Sequence, residues 1–170
     1  IISGTAASPR VQVTVSRCGK LLASNDGKSW RRVGPEIRTF IRGLIFARGM
    51  FVAVGGSYVD FPGVILTSKD GNQWTIRRCG SKTVFHSVAY GNDVFVVVGD
   101  HGTILTSKDA MNWTAQKPAF DGTLASVAFG AGEFVAVGDD GVILASETGR
   151  HWTKLSSGVM TYLSTVGHNG

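Results

Sequence analysis

The only four tryptophans of the chain recur at a nearly constant spacing. They are Trp30, Trp74, Trp113 and Trp152, separated by 44, 39 and 39 residues. Each closes a short motif that opens with serine, and the four motifs are Ser24–Trp30, Ser68–Trp74, Ser107–Trp113 and Ser146–Trp152. A unit that repeats about every 40 residues restricts the chain to a small set of repeat architectures.

Two short apolar runs precede every tryptophan motif. The first set is Val11–Val15, Phe51–Val54, Phe95–Val98 and Phe134–Val137, and the second is Leu21–Ala23, Val64–Leu66, Thr103–Leu105 and Val142–Leu144. The runs are rich in β-branched residues, and glycine, aspartate and asparagine lie between them, as hairpins require. With a first strand before them and a last strand at the tryptophan, each repeat predicts four strands, the signature of a propeller blade. The sequence therefore predicts an all-β, four-bladed β-propeller of four-stranded antiparallel blades, forming a single domain over residues 1–170.

The two ends of the chain fall at complementary points of the repeat. The first repeat enters at its second strand, and Leu163–Val166 matches the first strand Phe85–Val88. Pairing the C-terminal strand with the N-terminal blade would close the ring and remove an unpaired edge. We expect this closure, with a part of a larger ring as the alternative.

The Ser-x-Asp-Gly-x-x-Trp turns resemble the Asp-box (BNR) repeats of sialidase-type propellers, and they are similar to the repeats of photosystem II assembly factor-type propellers. The resemblance covers all four repeats, with one position fewer before the tryptophan than the usual Asp box. Thr148 replaces the aspartate of the fourth copy, and Ala110 replaces the glycine of the third. In Asp-box families this hairpin is structural, so the resemblance implies that Asp26, Asp70 and Asp109 support the fold.

Residues suited to catalysis are sparse. Sialidases with this kind of repeat use an arginine triad and a tyrosine–glutamate pair, and a glycosidase needs two carboxylates that face each other across the sugar. The only glutamates are Glu36, Glu133 and Glu147, and the histidines His86, His101, His151 and His168 lack metal-ligand spacing. The cysteines Cys18 and Cys79 also lack it, and the sequence leaves open whether they pair. We expect no catalytic residues, no metal and no cofactor.

Binding residues are expected where the repeats disagree, in the loops between strands two and three and between successive blades. The second repeat has the longest of these loops, about five residues longer than its counterparts, with two aromatic residues. Basic residues and one histidine occupy other loops and strand ends of the same predicted face. The candidate ligand- or partner-binding residues are Tyr58, Asp60, Phe61, Arg38, Arg77, Arg78, Lys82 and His101.

Charge is distributed unevenly between the two halves of the chain. Residues 1–85 contain 13 Lys/Arg and 4 Asp/Glu, a net of +9, whereas residues 86–170 contain 4 and 8, a net of −4. This dipole favours an acidic partner or a second copy bound head to tail. Basic and aromatic residues are too little interleaved to favour nucleic acid, and no apolar run approaches the roughly 18 residues that a membrane span needs.

These features predict a non-catalytic binding or scaffold module that engages a protein partner or a larger assembly through its loop-rich face. Two other classes stay open. A lectin-like propeller would bind glycans at matching loop positions, and a glycosidase-related fragment would need converging carboxylates.

Overall fold

A computed structural model describes residues 5–16, 18–36, 39–57, 63–77 and 79–167. They form four four-stranded antiparallel sheets, each built from strands consecutive in the chain. The described residues contain no α-helix, and a 3₁₀ turn spans Asp139–Gly141. No helix among them is long and apolar enough to cross a membrane. The predicted fold class is confirmed: the protein is almost all-β, with four sheets that correspond to four propeller blades.

The strands follow the repeat. The first sheet consists of Thr5–Ala7 (β1), Gln12–Val15 (β2), Leu21–Ser24 (β3) and Arg31–Arg32 (β4). The second consists of Phe40–Ala47 (β5), Met50–Gly56 (β6), Val64–Ser68 (β7) and Thr75–Arg77 (β8). The third consists of Phe85–Gly91 (β9), Val94–Gly99 (β10), Ile104–Ser107 (β11) and Thr114–Gln116 (β12). The fourth consists of Leu124–Gly130 (β13), Glu133–Gly138 (β14), Ile143–Ser146 (β15) and Thr153–Leu155 (β16).

The chain divides into two compact units, Ile1–Val84 and Phe85–Gly170. Unit 1 holds the first and second sheets, and its apolar cluster includes Phe51. Unit 2 holds the third and fourth sheets, and its apolar cluster includes Phe134. Each unit thus buries its own core between two sheets, and the single domain over residues 1–170 stays a prediction.

The first sheet corrects one predicted strand pairing. Its inner strand is β1 from the N-terminal segment, which pairs with β2 through Thr5↔Thr14, Ala6↔Val13 and Ala7↔Gln12. The sequence pattern missed β1 because it contains only threonine and alanine, without the large apolar residues of the other inner strands. The C-terminal segment therefore does not supply the inner strand of this sheet.

The predicted C-terminal strand, residues 163–166, has no strand pairing in the structure. The segment nevertheless makes a contact that recurs in the repeat, because Val166 N–H donates to Ser126 Oγ (3.3 Å). One repeat of 39 residues earlier, Val127 N–H donates to Ser87 Oγ (3.2 Å). The serine of one inner strand thus anchors the residue that comes directly after its own equivalent in the next segment.

In the first three sheets, the hairpin before the tryptophan is closed by its own serine and aspartate. In the second sheet, the Asp70 carboxylate accepts Asn72 N–H (2.9 Å) and Gln73 N–H (2.8 Å). Ser68 Oγ accepts Gly71 N–H (2.9 Å) and donates to the same carboxylate. Asp26 and Asp109 make the same contacts in the first and third sheets, whereas Thr148 accepts one long bond of 3.4 Å in the fourth.

The hairpin contacts lower the pKa values of the aspartates. Backbone donors, chiefly Ser29 N–H, hold the pKa of Asp26 well below its usual range. The pKa of Asp70 is also lowered, chiefly by Gln73 N–H. Asn112 N–H has the largest effect on Asp109 and lowers its pKa. Each hydrogen bond favours the charged carboxylate. The hairpin is therefore most stable when its aspartate is ionised.

We expect Gly71→Ala to destabilise the protein more than Gly49→Ala. Both glycines have a φ of +71°, so alanine costs about 1–2 kcal/mol of backbone strain at either position. At Gly71 the new methyl would also meet Val11 Cγ1 and Val13 Cγ2 at 2.9 Å, whereas nothing lies within 4 Å at Gly49. Overpacking should add about 1–3 kcal/mol at Gly71 alone, measured as the free energy of unfolding in urea. Equal costs at the two positions would contradict this packing.

We expect Asp70→Asn to lower the melting temperature by up to about 3 °C at neutral pH, because a neutral amide accepts the hairpin amides less strongly. A carboxylate whose pKa is lowered on folding contributes its full stability above the unfolded value of about 3.9. That contribution is lost as the pH falls toward the lower folded pKa. The difference in melting temperature between wild type and variant should therefore narrow below about pH 4. Asp121→Asn, at an exposed loop aspartate, is the control, and a constant difference for Asp70→Asn across this range would contradict the account.

Candidate functional site

Only three of the predicted binding residues lie in the described part of the chain. Lys82 is exposed in the segment between β8 and β9, Arg77 ends β8, and His101 is exposed in the loop between β10 and β11. Lys82 and Arg77 belong to unit 1 and His101 to unit 2. The other five lie outside the described residues: Tyr58, Asp60, Phe61, Arg38 and Arg78.

Arg77 has a contact that recurs in the repeat. Its Nε donates to Thr67 Oγ1 (2.8 Å) across β7 and β8. In the third sheet, Gln116 Nε2 donates to Thr106 Oγ1 (2.9 Å) from the same repeat position. This contact holds an outer strand to its neighbour, so at least part of the Arg77 guanidinium is committed to the sheet.

The two loop sets that the sequence places on one face do meet within each unit. In unit 1, Ile41 N–H donates to Gly19 O of the β2–β3 loop (3.2 Å). In unit 2, Gly102 N–H of the β10–β11 loop donates to Gly122 O, just before β13 (2.7 Å). The inner strands β5, β9 and β13 therefore begin beside these loops. The side chains of their first residues lie next to the loops.

In unit 1 the start of β5 carries an exposed aromatic residue and an exposed arginine two positions apart. Phe40 is 52% exposed and Arg42 is exposed two positions further, with buried Ile41 between them. A bulge lies in the pairing with β6 between Ile41 and Gly43. Among the described residues Arg42 has no ion-pair partner. We call Phe40 and Arg42 the β5 pair; it offers apolar area and an unneutralised guanidinium on one rigid strand.

In unit 2 the same repeat position holds a histidine bound to an aspartate. His86 Nε2 lies 2.7 Å from Asp100 Oδ1, and their side chains are 16% and 13% exposed. In the fourth sheet the equivalent residues are Ala125 and Asp139, and there Asp139 Oδ2 accepts Thr123 N–H (2.8 Å). The inner-strand start thus carries a different chemistry in each sheet.

A buried hydroxyl lies next to the β5 pair. Thr39 is 3% exposed, and its Oγ1 has no hydrogen-bond partner in the described structure. It lines a small cavity of about 10 Å³, together with residues from the β2–β3 and β4–β5 loops. A cavity of this size has room for one water molecule and for nothing larger.

The two cysteines are free thiols in unit 1. Cys18 is exposed in the β2–β3 loop, and Cys79 is half-buried after β8. Burial raises the pKa of the Cys79 thiol above its usual value, which makes it a poor nucleophile at neutral pH. In the described residues no group of three histidine, cysteine or acidic side chains is arranged to hold a metal ion.

The eight residues predicted to bind do not include Phe40, Arg42, His86 or Asp100. The signal was available, because the position before the small inner-strand residue reads Arg42, His86, Ala125 and Ser164 in the four copies. A position that differs so widely between repeats cannot be required by the fold. Loop length does not mark this position, because its side chains lie on strands.

No protein-family model matches the chain, and no curated protein does. Solved structures do match. YCF48 bound to a D1 peptide has a TM-score of 0.72 at 20% identity, over 96% of this chain and 56% of that chain. A nidogen/laminin complex has a TM-score of 0.70 at 14% identity, over 96% and 66%. An ancestral GH74 enzyme has a TM-score of 0.72 at 14% identity, over 92% and 24%.

This chain therefore spans less than two thirds of the length of each of these proteins. YCF48 and the GH74 enzyme are both propellers. At identities of 20% and below, the likeness concerns the fold alone. It confirms the propeller architecture that the repeats imply, while Asp-box ancestry stays a prediction.

Proposed function

We propose that this chain is a non-catalytic binding module that holds an acidic segment of a protein partner at the loop end of unit 1. The observation that carries the proposal is the β5 pair, an exposed phenylalanine two positions from an exposed arginine that has no ion-pair partner among the described residues, both on an inner strand. Lys82, Arg78 and Arg38 would add charge around it, and the Tyr58–Phe61 loop would add apolar contact. His101 would belong to a separate contact on unit 2.

The charge of unit 1 supports an acidic partner. Unit 1 contains 13 Lys/Arg against 4 Asp/Glu. Two of those four carboxylates, Asp26 and Asp70, are occupied by their own hairpin amides, and Glu36 pairs with Arg32 at 2.9 Å. Little negative charge is therefore left to neutralise the arginines from within. A cationic surface of this kind speeds the approach of an acidic partner and orients it.

An aromatic ring beside an arginine is a composition typical of binding hot spots. Tyrosine, tryptophan and arginine carry most of the binding energy at protein interfaces, and a phenylalanine ring supplies similar apolar area. Because Phe40 and Arg42 lie on a strand, little backbone conformational entropy is lost when they bind. Two of the similar structures are complexes, of YCF48 with a D1 peptide and of nidogen with laminin, which makes a protein ligand plausible for this fold.

The placement of the carboxylates supports a non-catalytic role. A glycosidase needs two carboxyl groups that face one substrate bond. Here Asp26, Asp70 and Asp109 bind hairpin amides, Asp139 binds Thr123 N–H, and Asp100 binds His86. These groups are engaged with their own sheets, so we assign the chain to binding.

We expect a fluorescein-labelled peptide of glutamates around one phenylalanine to bind the wild-type chain, and Arg42→Ala to weaken that binding about tenfold. The loss corresponds to one charge-assisted hydrogen bond at an interface. Phe40→Ala should weaken binding further through lost apolar area, and raising the salt should weaken the wild type more than Arg42→Ala. Fluorescence anisotropy measures all three.

Lys69→Ala is the matched control. Lys69 is exposed and lies in the β7–β8 hairpin at the other end of the strands, so the variant removes one positive charge from unit 1 without touching the β5 pair. It should change the affinity less than twofold. Equal losses for Lys69→Ala and Arg42→Ala would show attraction by net charge alone, and equal binding of a lysine-rich peptide would overturn the proposal.

A further inference from the structure

The third sheet of unit 2 carries a polar groove beside its hairpin. The groove has a volume of about 250 Å³, and its lining includes Thr106, Lys108, Asp109 and Thr114 from the third sheet and Arg150 from the fourth. It lies wholly within unit 2. Sites for drug-sized ligands usually have about 300–1,000 Å³, so a groove of this size suits a small charged group.

Packing between the third and fourth sheets places Arg150 at this groove. Gly149, the residue before it, lies against the third sheet, where an ideal Cβ on the glycine would be 3.4 Å from Thr106 Cγ2. Gly149 N–H donates to Ser146 Oγ (2.9 Å), and Gly149 O accepts the indole N–H of Trp152 (2.9 Å). The backbone from which the arginine extends is therefore fixed by its own hairpin.

Three side chains of the groove have donors that the sheets do not use. Lys108, Thr114 and Arg150 are exposed. Within the described part of the chain, none of these side chains makes an ion pair or a hydrogen bond. We call these three residues the groove donors; they supply an ammonium, a hydroxyl and a guanidinium from two walls of one groove.

The carboxylate that lines the groove, Asp109, is held by its own hairpin. Its Oδ1 accepts Met111 N–H and Asn112 N–H (both 2.8 Å) and the Ser107 hydroxyl (2.9 Å). Its Oδ2 accepts the Asn112 side-chain amide (2.8 Å). Two cations share the groove with this carboxylate, so the groove keeps a surplus of positive charge, although residues 86–170 have a net charge of −4.

The equivalent groove of the first sheet indicates that the fold does not require these cations. It has a similar volume, about 260 Å³, and its lining includes Arg31 and, at the position of Lys108, Asn25. Arg31 Nη2 donates to Asn72 Oδ1 (2.6 Å), and Asn72 holds the repeat position of Arg150. The guanidinium of the first groove thus joins two hairpins of unit 1, whereas that of Arg150 has no such partner among the described residues.

We propose that this groove of unit 2 binds a phosphate monoester group through the groove donors. The guanidinium of Arg150 presents a planar fork of N–H donors to two phosphate oxygens, and Lys108 and Thr114 each donate to a further oxygen. A phosphate monoester carries a charge of about −1.5 to −2 at neutral pH. That charge fits two cations better than the single charge of a carboxylate or a sulfate ester. The site shares no residue with the acidic-peptide site of unit 1, so either proposal can fail without the other.

An NMR titration of the isotope-labelled chain with methyl phosphate at constant ionic strength tests the site. The backbone amide signals of residues 107–114 and 149–151 should shift, and those of residues 39–47 should not. Methyl sulfate should bind at least about fivefold more weakly, because it carries less charge.

Two further probes distinguish the sources of the phosphate group. Glucose phosphate represents a phosphorylated metabolite, and a short peptide of uncharged residues around one phosphoserine represents a modified protein. Similar affinities would show that the groove recognises the phosphate group itself. A preference for one probe would show which kind of molecule carries the group, and binding of neither would overturn the proposal.

Arg150→Ala and Lys108→Ala should each weaken methyl phosphate binding about fivefold, the loss of one partly exposed ionic contact. Both side chains are exposed, so the melting temperature should stay the same and exclude misfolding as the cause. Lys117→Ala is the matched control, because it removes one positive charge of unit 2 from an exposed residue in the β12–β13 loop, at the other end of the strands. It should bind like the wild type. Equal losses for all three variants, shifts that miss the groove, or equal binding of methyl sulfate would overturn the proposal.

Discussion

The contact between a hairpin glycine and the preceding sheet is the constraint on which each unit depends. Gly71 fits against Val11 and Val13 only because it lacks a side chain and has a positive φ. The serine and aspartate of the hairpin hold that backbone, and the tryptophan closes over it. The same contact recurs in unit 2, where Gly149 fits against Val96 and Thr106.

The hairpin end of the repeat serves the fold, so the residues at the opposite end can differ from one repeat to the next. At that end, the first residues of the inner strands are Arg42 with Phe40 in one sheet and His86 with Asp100 in the next. These side chains stabilise no contact common to all repeats. Under the proposed binding role, these differences would set which ligand each sheet contacts, and the positive charge of unit 1 would favour an acidic one.

Much of the fold could be predicted from the sequence because the repeat amplifies weak signals. One Ser-x-Asp-Gly hairpin predicts a turn, whereas four in register predict four sheets. The repeat could not reveal β1, since Thr5–Ala7 lacks the large apolar residues that mark the other inner strands. The repeat marks position 42 as variable, but it could not reveal that Phe40 and Arg42 are both exposed, because exposure on a strand depends on the bulge and the loops around it. Five of the eight residues predicted to bind lie outside the described structure, and the binding role of all eight stays a prediction.

The central claim is that the ligand binds at the loop end of unit 1 and does not contact the hairpins. Hydrogen exchange of the chain with and without the acidic peptide tests it. The account predicts slower exchange for backbone amides of residues 39–47 when the peptide is bound. It predicts unchanged exchange for the hairpins of residues 24–30 and 68–74. Protection of the hairpins, with none at residues 39–47, would contradict it.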